Sequence, residues 1–273
     1  MPDNRPIGVF DSGIGGLTVM RELIRRLPNE SITYFGDTAR VPYGPKSPPT
    51  VLRYSEEAAR FLLSRDVKMI VIACNTATAH AADTLSQLHS VPVVGVIEPG
   101  ARAAVEATVS ARVGVIGTAG TIASGAYDLA VRRRLPEARV YAQPCPLFVP
   151  LVEEGWYDHP AARLIAGEYL RPLHEMDVDV LILGCTHYPL LRRLIADVMG
   201  PAVGLVDSAA ETAREVAEVL DAQDLRRTVT QPPAYAFAAS DSPLRFRDVG
   251  RTFVGELIRV VERVDVEGFG HAA

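Results

Sequence analysis

The chain has 273 residues, of which 48% are hydrophobic and 22% charged, as in soluble globular proteins large enough for two domains. Its 33 acidic residues outnumber its 28 basic residues, and the net charge of −5 argues against nucleic-acid binding, which needs a surplus of Lys and Arg. No apolar run approaches the roughly 18 residues that span a bilayer, and the polar start of the chain, Met1 to Arg5, argues against secretion.

Short runs of β-branched residues alternate with amphipathic patterns along the chain. The runs predict strands at Ile7–Phe10, Ile32–Phe35, Lys68–Ala73, Val93–Val96, Arg112–Ile116, Val140–Ala142, Val180–Leu183, Gly204–Val206 and Tyr235–Ala238. The amphipathic patterns predict helices at Leu17–Leu27, Thr50–Arg65, Thr76–His89, Ile122–Leu135, Ala161–His174, Leu190–Val198 and Ala209–Leu220. The last helix has a candidate capping box, with Ser208 three residues before Glu211. This alternating order is typical of an α/β fold with parallel sheets covered by helices.

A short internal repeat suggests two related α/β halves. The segment that begins at Ile7 resembles the one that begins at Val113, and the segment around Cys74 resembles the one around Cys185. The two pairs are separated by similar distances in sequence. We predict a domain boundary near Glu98-Pro99-Gly100, and the segment after Asp207 is long enough to return to the first half.

The first strand ends in a glycine-rich turn, Phe10-Asp11-Ser12-Gly13-Ile14-Gly15-Gly16. Ligands of open parallel sheets bind outside the carboxyl ends of the strands, and such a turn exposes backbone N–H groups that suit an anion. The glycines lack the spacing of a dinucleotide-binding turn. The alternative is a plain connection in which Asp11 is only a turn residue.

Two cysteines stand directly between a buried strand and a helix, in Ala73-Cys74-Asn75-Thr76 and in Gly184-Cys185-Thr186-His187. A helix N-terminus favours the thiolate, and the neighbouring Asn and Thr side chains can cap the helix or donate to a carboxylate. Each cysteine alone could be a small buried hydrophobe. Their matching contexts favour a functional pair. Cys145, between two prolines, is interpreted as structural.

A turn-rich loop, Asp37 to Pro45, follows the second strand and could form one wall of a pocket, a lid or a rigid surface loop. Metal binding is disfavoured, since no CxxC or HxxxH spacing accompanies the cysteines. His80, His89, His159 and His174 are interpreted as solvated or packed. Three cysteines are an odd number and too few for a disulfide framework, which indicates a reducing compartment. We therefore expect a cytoplasmic protein.

Two thiols that face each other across a cleft suit one particular chemistry. One thiolate can remove a proton from a carbon while the opposite thiol returns a proton to the other face, which inverts the stereocentre. Asp11 and His187 are candidates to exchange protons with the neighbouring thiols. Asn75, Thr76, Thr186 and backbone N–H groups could stabilise the carbanion next to a carboxylate.

The sequence resembles the cofactor-independent aspartate/glutamate racemase superfamily, and within it the bacterial glutamate racemases. The resemblance rests on motifs in family order over nearly the whole chain, namely Gly8 to Val19, Pro42-Tyr43-Gly44, Ala73 to Ala77, Gly114 to Thr118 with Thr121, Cys145 to Gly155, and Leu183 to Leu190.

The resemblance implies interconversion of L- and D-glutamate, which supplies D-glutamate for peptidoglycan, without a cofactor or metal. The position of Cys74 would deprotonate the D-isomer and that of Cys185 the L-isomer. Asp11 would support Cys74, while His187 and Glu153, or the adjacent Glu154, would support Cys185. Substrate contacts would fall on Asp11, Ser12, Tyr43, Gly44, Asn75, Thr76, Thr121, Thr186 and His187. The implied domains are 1–98 plus 207–273 and 99–206, with the active site in the cleft between them, and the implied assembly is a homodimer.

Three other functions remain open at this stage. A racemase for another amino acid, such as aspartate, would share the thiol pair. A cysteine amidohydrolase would need only one thiol and would form a covalent acyl-enzyme. A non-catalytic amino-acid-binding protein would need neither thiol.

Overall fold

The computed structural model describes residues 3–266. The strands are β1 Ile7–Asp11, β2 Ile32–Gly36, β3 Met69–Ile72, β4 Val93–Gly95, β5 Arg112–Gly117, β6 Arg139–Pro144, β7 Val180–Gly184, β8 Gly204–Asp207, β9 Tyr235–Ala239 and β10 Glu262–Arg263. The helices are α1 Leu17–Arg26, α2 Pro48–Ser64, α3 Asn75–Leu88, α4 Ile97–Ala107, α5 Ala119–Ala123, α6 Ala126–Arg134, α7 Phe148–Glu153, α8 Pro160–Glu175, α9 Arg192–Met199, α10 Ser208–Ala222 and α11 Pro243–Val254, with short 3₁₀ turns at Tyr188–Leu191 and Gly255–Leu257. The segment from Gly268 to the C-terminus, expected to fray, lies outside the described residues.

The strands form two separate sheets, and every pair of neighbouring strands is parallel. The first sheet has the order β10-β9-β2-β1-β3-β4 and the second the order β6-β5-β7-β8. The run β2-β1-β3-β4 therefore has the same order as the whole second sheet. This arrangement confirms the predicted α/β class with two related parallel sheets.

Helices cover both faces of each sheet, because the central strands are apolar on both sides. All residues of β1, β2, β3 and β7 are buried. One face of the first sheet packs with α1, α10 and α11, and the other with α2 and α3. Two further apolar cores cover the faces of the second sheet. Helix α10 contacts both α1 and α4, so it joins the helical layers of the two sheets.

The segment Glu98-Pro99-Gly100, near which a domain boundary is predicted, lies in the first turn of α4, since a proline is tolerated in the first turn of a helix. Two other local predictions differ from the structure. The helix predicted over Ile122–Leu135 is divided into α5 and α6 at Gly125, whose φ of 66° is left-handed. The side chain of Asp207, not that of Ser208, caps α10 by accepting the Ala209 N–H at 2.9 Å.

The division into residues 1–98 plus 207–273 and 99–206 stays a prediction. Helices α4, α7 and α11 and strand β10 were not predicted from the sequence. Within residues 3–266, no helix is both long and apolar enough to cross a membrane.

Candidate active site

The carboxyl end of β1 forms a tight turn around the Asp11 carboxylate. The Gly13 N–H donates to Asp11 Oδ1 at 2.9 Å, and the buried Tyr34 hydroxyl donates to the Gly13 carbonyl at 3.0 Å. A Cβ added to Gly16 would lie 2.5 Å from the Asp11 Cβ and 2.7 Å from the Tyr34 hydroxyl oxygen. Gly16 is therefore needed where α1 approaches Asp11, and the turn holds this carboxylate in one orientation.

Cys74 follows β3 and caps the N-terminus of α3 with its sulfur. Its Sγ accepts the Ala77 N–H at 3.4 Å and lies 3.7 Å from the Ser12 hydroxyl. Asn75 and Thr76 were candidates for this capping role, but they form the first turn of the helix instead. Their side chains are thereby free to turn to the second sheet.

Cys185 follows β7 and heads a line of polar groups. Its Sγ lies 3.9 Å from His187 Nδ1, and His187 Nε2 lies 3.2 Å from Glu153 Oε1. The adjacent Glu154 is exposed and lies 3.9 Å from Arg245 instead. Of the two candidate carboxylates, the structure therefore places Glu153 in contact with the imidazole.

The two sheets meet at these strand ends. The Thr186 hydroxyl donates to Asp11 Oδ2 at 3.4 Å, so a residue that follows β7 reaches the carboxylate that ends β1. A Cβ on Gly15 would lie 2.3 Å from Thr186 Oγ1 and 2.5 Å from His187 Nδ1. The glycine-rich turn of the first sheet is thus packed directly against the cysteine–histidine segment of the second.

A second group of contacts crosses the same cleft beside α3. Thr76 Oγ1 lies 2.9 Å from Thr118 Oγ1 and 3.0 Å from Thr121 Oγ1, so three hydroxyls form one cluster. The Tyr127 hydroxyl donates to Asn75 Oδ1 at 2.7 Å. The Asn75 side-chain N–H₂ is buried and has no hydrogen-bond partner among the described residues, so it is a free donor in the cleft.

Burial and neighbouring charges shift the pKa values of groups on both sides of the cleft. Burial raises the pKa of the Cys74 thiol to about 12, and the nearby Asp11 carboxylate adds to the increase. Burial by itself lowers the pKa of His187, but the hydrogen bonds with Cys185 and Glu153 outweigh it and raise that pKa to about 10. At neutral pH, therefore, a neutral thiol stands on the Cys74 side and a protonated imidazole stands beside Cys185.

The pKa values of the Asp11 and Glu153 carboxyl groups shift in opposite directions. Burial raises the pKa of Asp11, and the charge of His187 and the N–H groups of the turn offset only part of the increase. The hydrogen bond from His187 lowers the pKa of Glu153 against the effect of burial. Glu153 is therefore the ionised partner that holds the imidazolium.

All nine predicted substrate contacts lie in or beside this cleft, but Tyr43 does so differently from the rest. Its hydroxyl is buried and donates to Asp37 Oδ2. The Gly44 carbonyl accepts the Gly120 N–H of α5 at 2.9 Å, which ties this loop to the second sheet. The Tyr43 hydroxyl is therefore engaged within the first sheet, whereas Gly44 faces the second sheet.

Sequence reasoning missed Thr118 and Tyr127. Thr118 stands after β5, at the same kind of strand end as the predicted residues, so the rule that identified Cys185 could have identified it. Tyr127 lies inside a helix, and only the fold brings it to Asn75. Both cysteines of the cleft are nearly closed off, with 6% of each residue exposed.

The remaining candidates lie apart from this cluster. Cys145 is fully buried, and its Sγ donates to the Gln143 carbonyl at 3.6 Å. His159 caps α8 by accepting the Ala161 N–H at 3.1 Å. Within residues 3–266, no group of three or more His, Cys, Asp and Glu side chains could hold a metal ion.

Comparison with known proteins adds independent information. The family model described as Asp/Glu/Hydantoin racemase matches residues 7–216. The chain is 56% identical to a glutamate racemase from Geobacter metallireducens over 96% of this chain and 97% of that one. Its fold matches the crystal structure of a glutamate racemase isoform from Bacillus anthracis with a TM-score of 0.93, at 40% identity over 96% of this chain and 98% of that one.

Two further structures bear on the ligand. A glutamate racemase from Francisella tularensis, solved in complex with D-glutamate, matches with a TM-score of 0.92 at 42% identity, over 97% of this chain and 99% of that one. An aspartate racemase from Picrophilus torridus matches with a TM-score of 0.55 at 16% identity, over 82% of this chain and 96% of that one, which is a likeness of fold alone.

Proposed function

Because this chain belongs to the Asp/Glu/hydantoin racemase family, we propose that it interconverts L-glutamate and D-glutamate by proton transfer at Cα. The observation that carries the proposal is the pair of buried thiols, Cys74 and Cys185, which end strands of two different sheets at one cleft. The high identity to glutamate racemases supports glutamate over aspartate as the substrate.

The reaction needs one thiolate and one thiol in each turnover. The thiolate removes the Cα proton from one face, which leaves a carbanion conjugated with the α-carboxylate, and the opposite thiol gives a proton to the other face. Cys74 takes the proton from D-glutamate and Cys185 takes it from L-glutamate. The thiols exchange roles in the two directions, so no other reactant is consumed.

Each thiol has a partner that can adjust its protonation. Asp11 lies close enough to Cys74 for its charge to raise the pKa of that thiol. His187 contacts Cys185 and is held by Glu153. His187 is therefore placed to exchange a proton with the Cys185 sulfur.

The carbanion and the carboxylates need donors that are already in place. Asn75 offers a buried N–H₂ that has no partner within residues 3–266, and the hydroxyls of Thr76, Thr118 and Thr121 lie within 3.0 Å of one another. The N-terminus of α3 adds its backbone N–H groups and its dipole. Neutral donors of this kind suit the two carboxylates of glutamate.

The proposal includes a biological setting. The enzyme works in the cytoplasm as a homodimer, without a cofactor or metal, and supplies D-glutamate for peptidoglycan synthesis. Two bases are sufficient for the inversion, so the chemistry requires no electron sink beyond the substrate carboxylate.

Circular dichroism tests the proposal directly. Purified protein is incubated with L-glutamate in deuterated buffer without added cofactor, and NMR then measures deuterium at Cα. We expect the optical activity to disappear while deuterium enters at Cα, and the same result from D-glutamate. No loss of signal with either isomer would refute the proposal, and activity on aspartate alone would identify a different racemase.

A further inference from the structure

Asp37 is a fully buried carboxylate that lies outside the thiol cluster. It follows β2, and its own N–H donates to the Asp11 carbonyl at 3.0 Å. A buried carboxylate is retained only where several donors compensate its lost hydration. The identity of those donors shows what Asp37 does.

Three side chains donate to Asp37, and each comes from a different part of the loop or sheet. Arg40 Nε donates to Oδ2 at 2.7 Å, the Tyr43 hydroxyl donates to the same oxygen, and the Ser240 hydroxyl donates to Oδ1 at 2.8 Å. Burial, followed by the Asp37 charge, raises the pKa of Tyr43 well above its usual range, so that hydroxyl stays a donor.

Further contacts hold the side chains that donate to Asp37. Arg40 also pairs with Glu57 of α2 and lies over the Tyr54 ring at 4.0 Å from its centroid. Ser240, which follows β9, accepts the Ala39 N–H at 2.8 Å. Asp37 thereby connects the 37–45 loop to α2, β2 and β9, which are all rigid parts of the first sheet.

The opposite end of the loop reaches the substrate cleft. The Gly44 carbonyl accepts the Gly120 N–H, and a Cβ on Gly44 would lie 2.8 Å from the Thr118 Cβ. The position of Tyr43 therefore sets where the Tyr43–Gly44 backbone lies relative to the three-hydroxyl cluster. Any movement of the Tyr43 ring moves one wall of the pocket.

We propose that Asp37 is a positioning residue that sets this pocket wall through the Tyr43 hydroxyl, and that Tyr43 contributes no side-chain group to the substrate. The inference rests on the proposed racemase function and extends it to a residue outside the reacting groups. Because the Tyr43–Gly44 backbone forms a wall of the pocket and transfers no proton, a displaced wall weakens substrate binding more than it slows proton transfer.

The test compares steady-state kinetics of Tyr43→Phe and Asp37→Asn in both directions. We expect KM for each glutamate isomer to rise by about 5- to 20-fold, as expected for one lost buried hydrogen bond, with kcat within about threefold of wild type. Asp66→Asn is the matched control, because it makes the same chemical change at an exposed carboxylate just before β3, at the opposite end of the strand from the cleft, and should leave KM unchanged.

A double variant separates a shared route from two independent effects. Asp37→Asn combined with Tyr43→Phe should raise KM no more than about twofold beyond the larger single effect, because both changes break the same contact. KM values that multiply instead would overturn the inference. So would KM values within about twofold of wild type in both single variants, whatever their melting temperatures.

Ser240→Ala provides a further test in case Asp37→Asn does not fold. It removes one donor to Asp37 and leaves the carboxylate in place, so it should raise KM in the same direction by a smaller factor. If Asp37→Asn does not fold, Tyr43→Phe and Ser240→Ala decide the matter by the same criterion. Wild-type protein that is inactive on glutamate would refute the proposed function together with this inference, whereas active wild type with unmoved KM values refutes the inference alone.

Discussion

A methyl group added to Gly15 tests whether the spacing of the two sheets controls catalysis. The new Cβ of Gly15→Ala would lie 2.3 Å from Thr186 Oγ1 and 2.5 Å from His187 Nδ1. Non-bonded heavy atoms need about 3.5 Å, so the two segments must separate by about 1 Å. This displacement breaks the 3.4 Å hydrogen bond from Thr186 to Asp11 and moves His187 away from the first sheet.

A misplacement of about 1 Å costs on the order of 100-fold in rate, so we expect kcat/KM to fall by about that factor in both directions. Circular dichroism of L- and D-glutamate measures the rate, and thermal unfolding checks that the variant folds. Gly167→Ala in α8 is the matched control, because nothing lies within 4 Å of its new Cβ. The control should keep full activity and unfold at the same or a higher temperature, since alanine favours a helix by about 1 kcal/mol over glycine.

A Gly15→Ala enzyme with kcat/KM within about threefold of wild type would contradict the reasoning. It would mean that Thr186 and His187 can move without consequence for the reacting thiols. A low rate accompanied by a normal melting temperature would instead support control by spacing, because the fold would then be intact while the cleft is displaced.

Three further predictions concern the ionisable groups. Cys74→Ser and Cys185→Ser should each lower racemisation by about 10²- to 10⁴-fold in both directions, and near-normal turnover by either variant would eliminate the two-thiol mechanism. Cys145→Ser should keep near-normal turnover in the same assay, so a folded but inactive variant would show that this thiol takes part. The pKa of Asp11 is raised in the folded state, so ionising it opposes folding as the pH rises through the carboxyl range. Asp11→Asn should therefore raise the unfolding free energy at pH 7 while losing activity, and the gain should fade toward pH 4. Denaturant titrations at both pH values check this, and a loss of stability at pH 7 would contradict it.

The alternation of strands and helices was sufficient to predict the fold class, because apolar strands buried on both faces leave a clear pattern. The α4 helix was missed because Pro99 and Gly100 suggested a boundary, although a proline in the first turn has no intrahelical hydrogen bond to lose. The break between α5 and α6 was missed because the amphipathic pattern runs on through Gly125. A proline or glycine alone does not show whether a helix begins, continues or ends, because the packing of the surrounding residues decides this.

Some features of the candidate site could likewise be predicted from the sequence, and others could not. Residues that directly follow a strand, such as Cys74 and Cys185, could be predicted because parallel strands bring their carboxyl ends together. The contacts between the sheets could not, since the approach of Gly15 to Thr186 depends on how the two halves pack. Tyr43 is the instructive case. Its place in the cleft was expected, but its hydroxyl donates to Asp37, whose other oxygen accepts a hydrogen bond from Ser240, about 200 residues along the chain.

The cap at the start of α3 has a consequence for how this protein can be improved. A thiol sulfur is a weak acceptor, whereas a serine hydroxyl is among the preferred helix caps. Cys74→Ser should therefore leave α3 capped at least as well as before. Selection for thermal stability alone would accept serine at this position and remove the thiol that the proposed mechanism uses, with no loss of stability to reveal the change. Only a selection that also demands turnover would keep the cysteine.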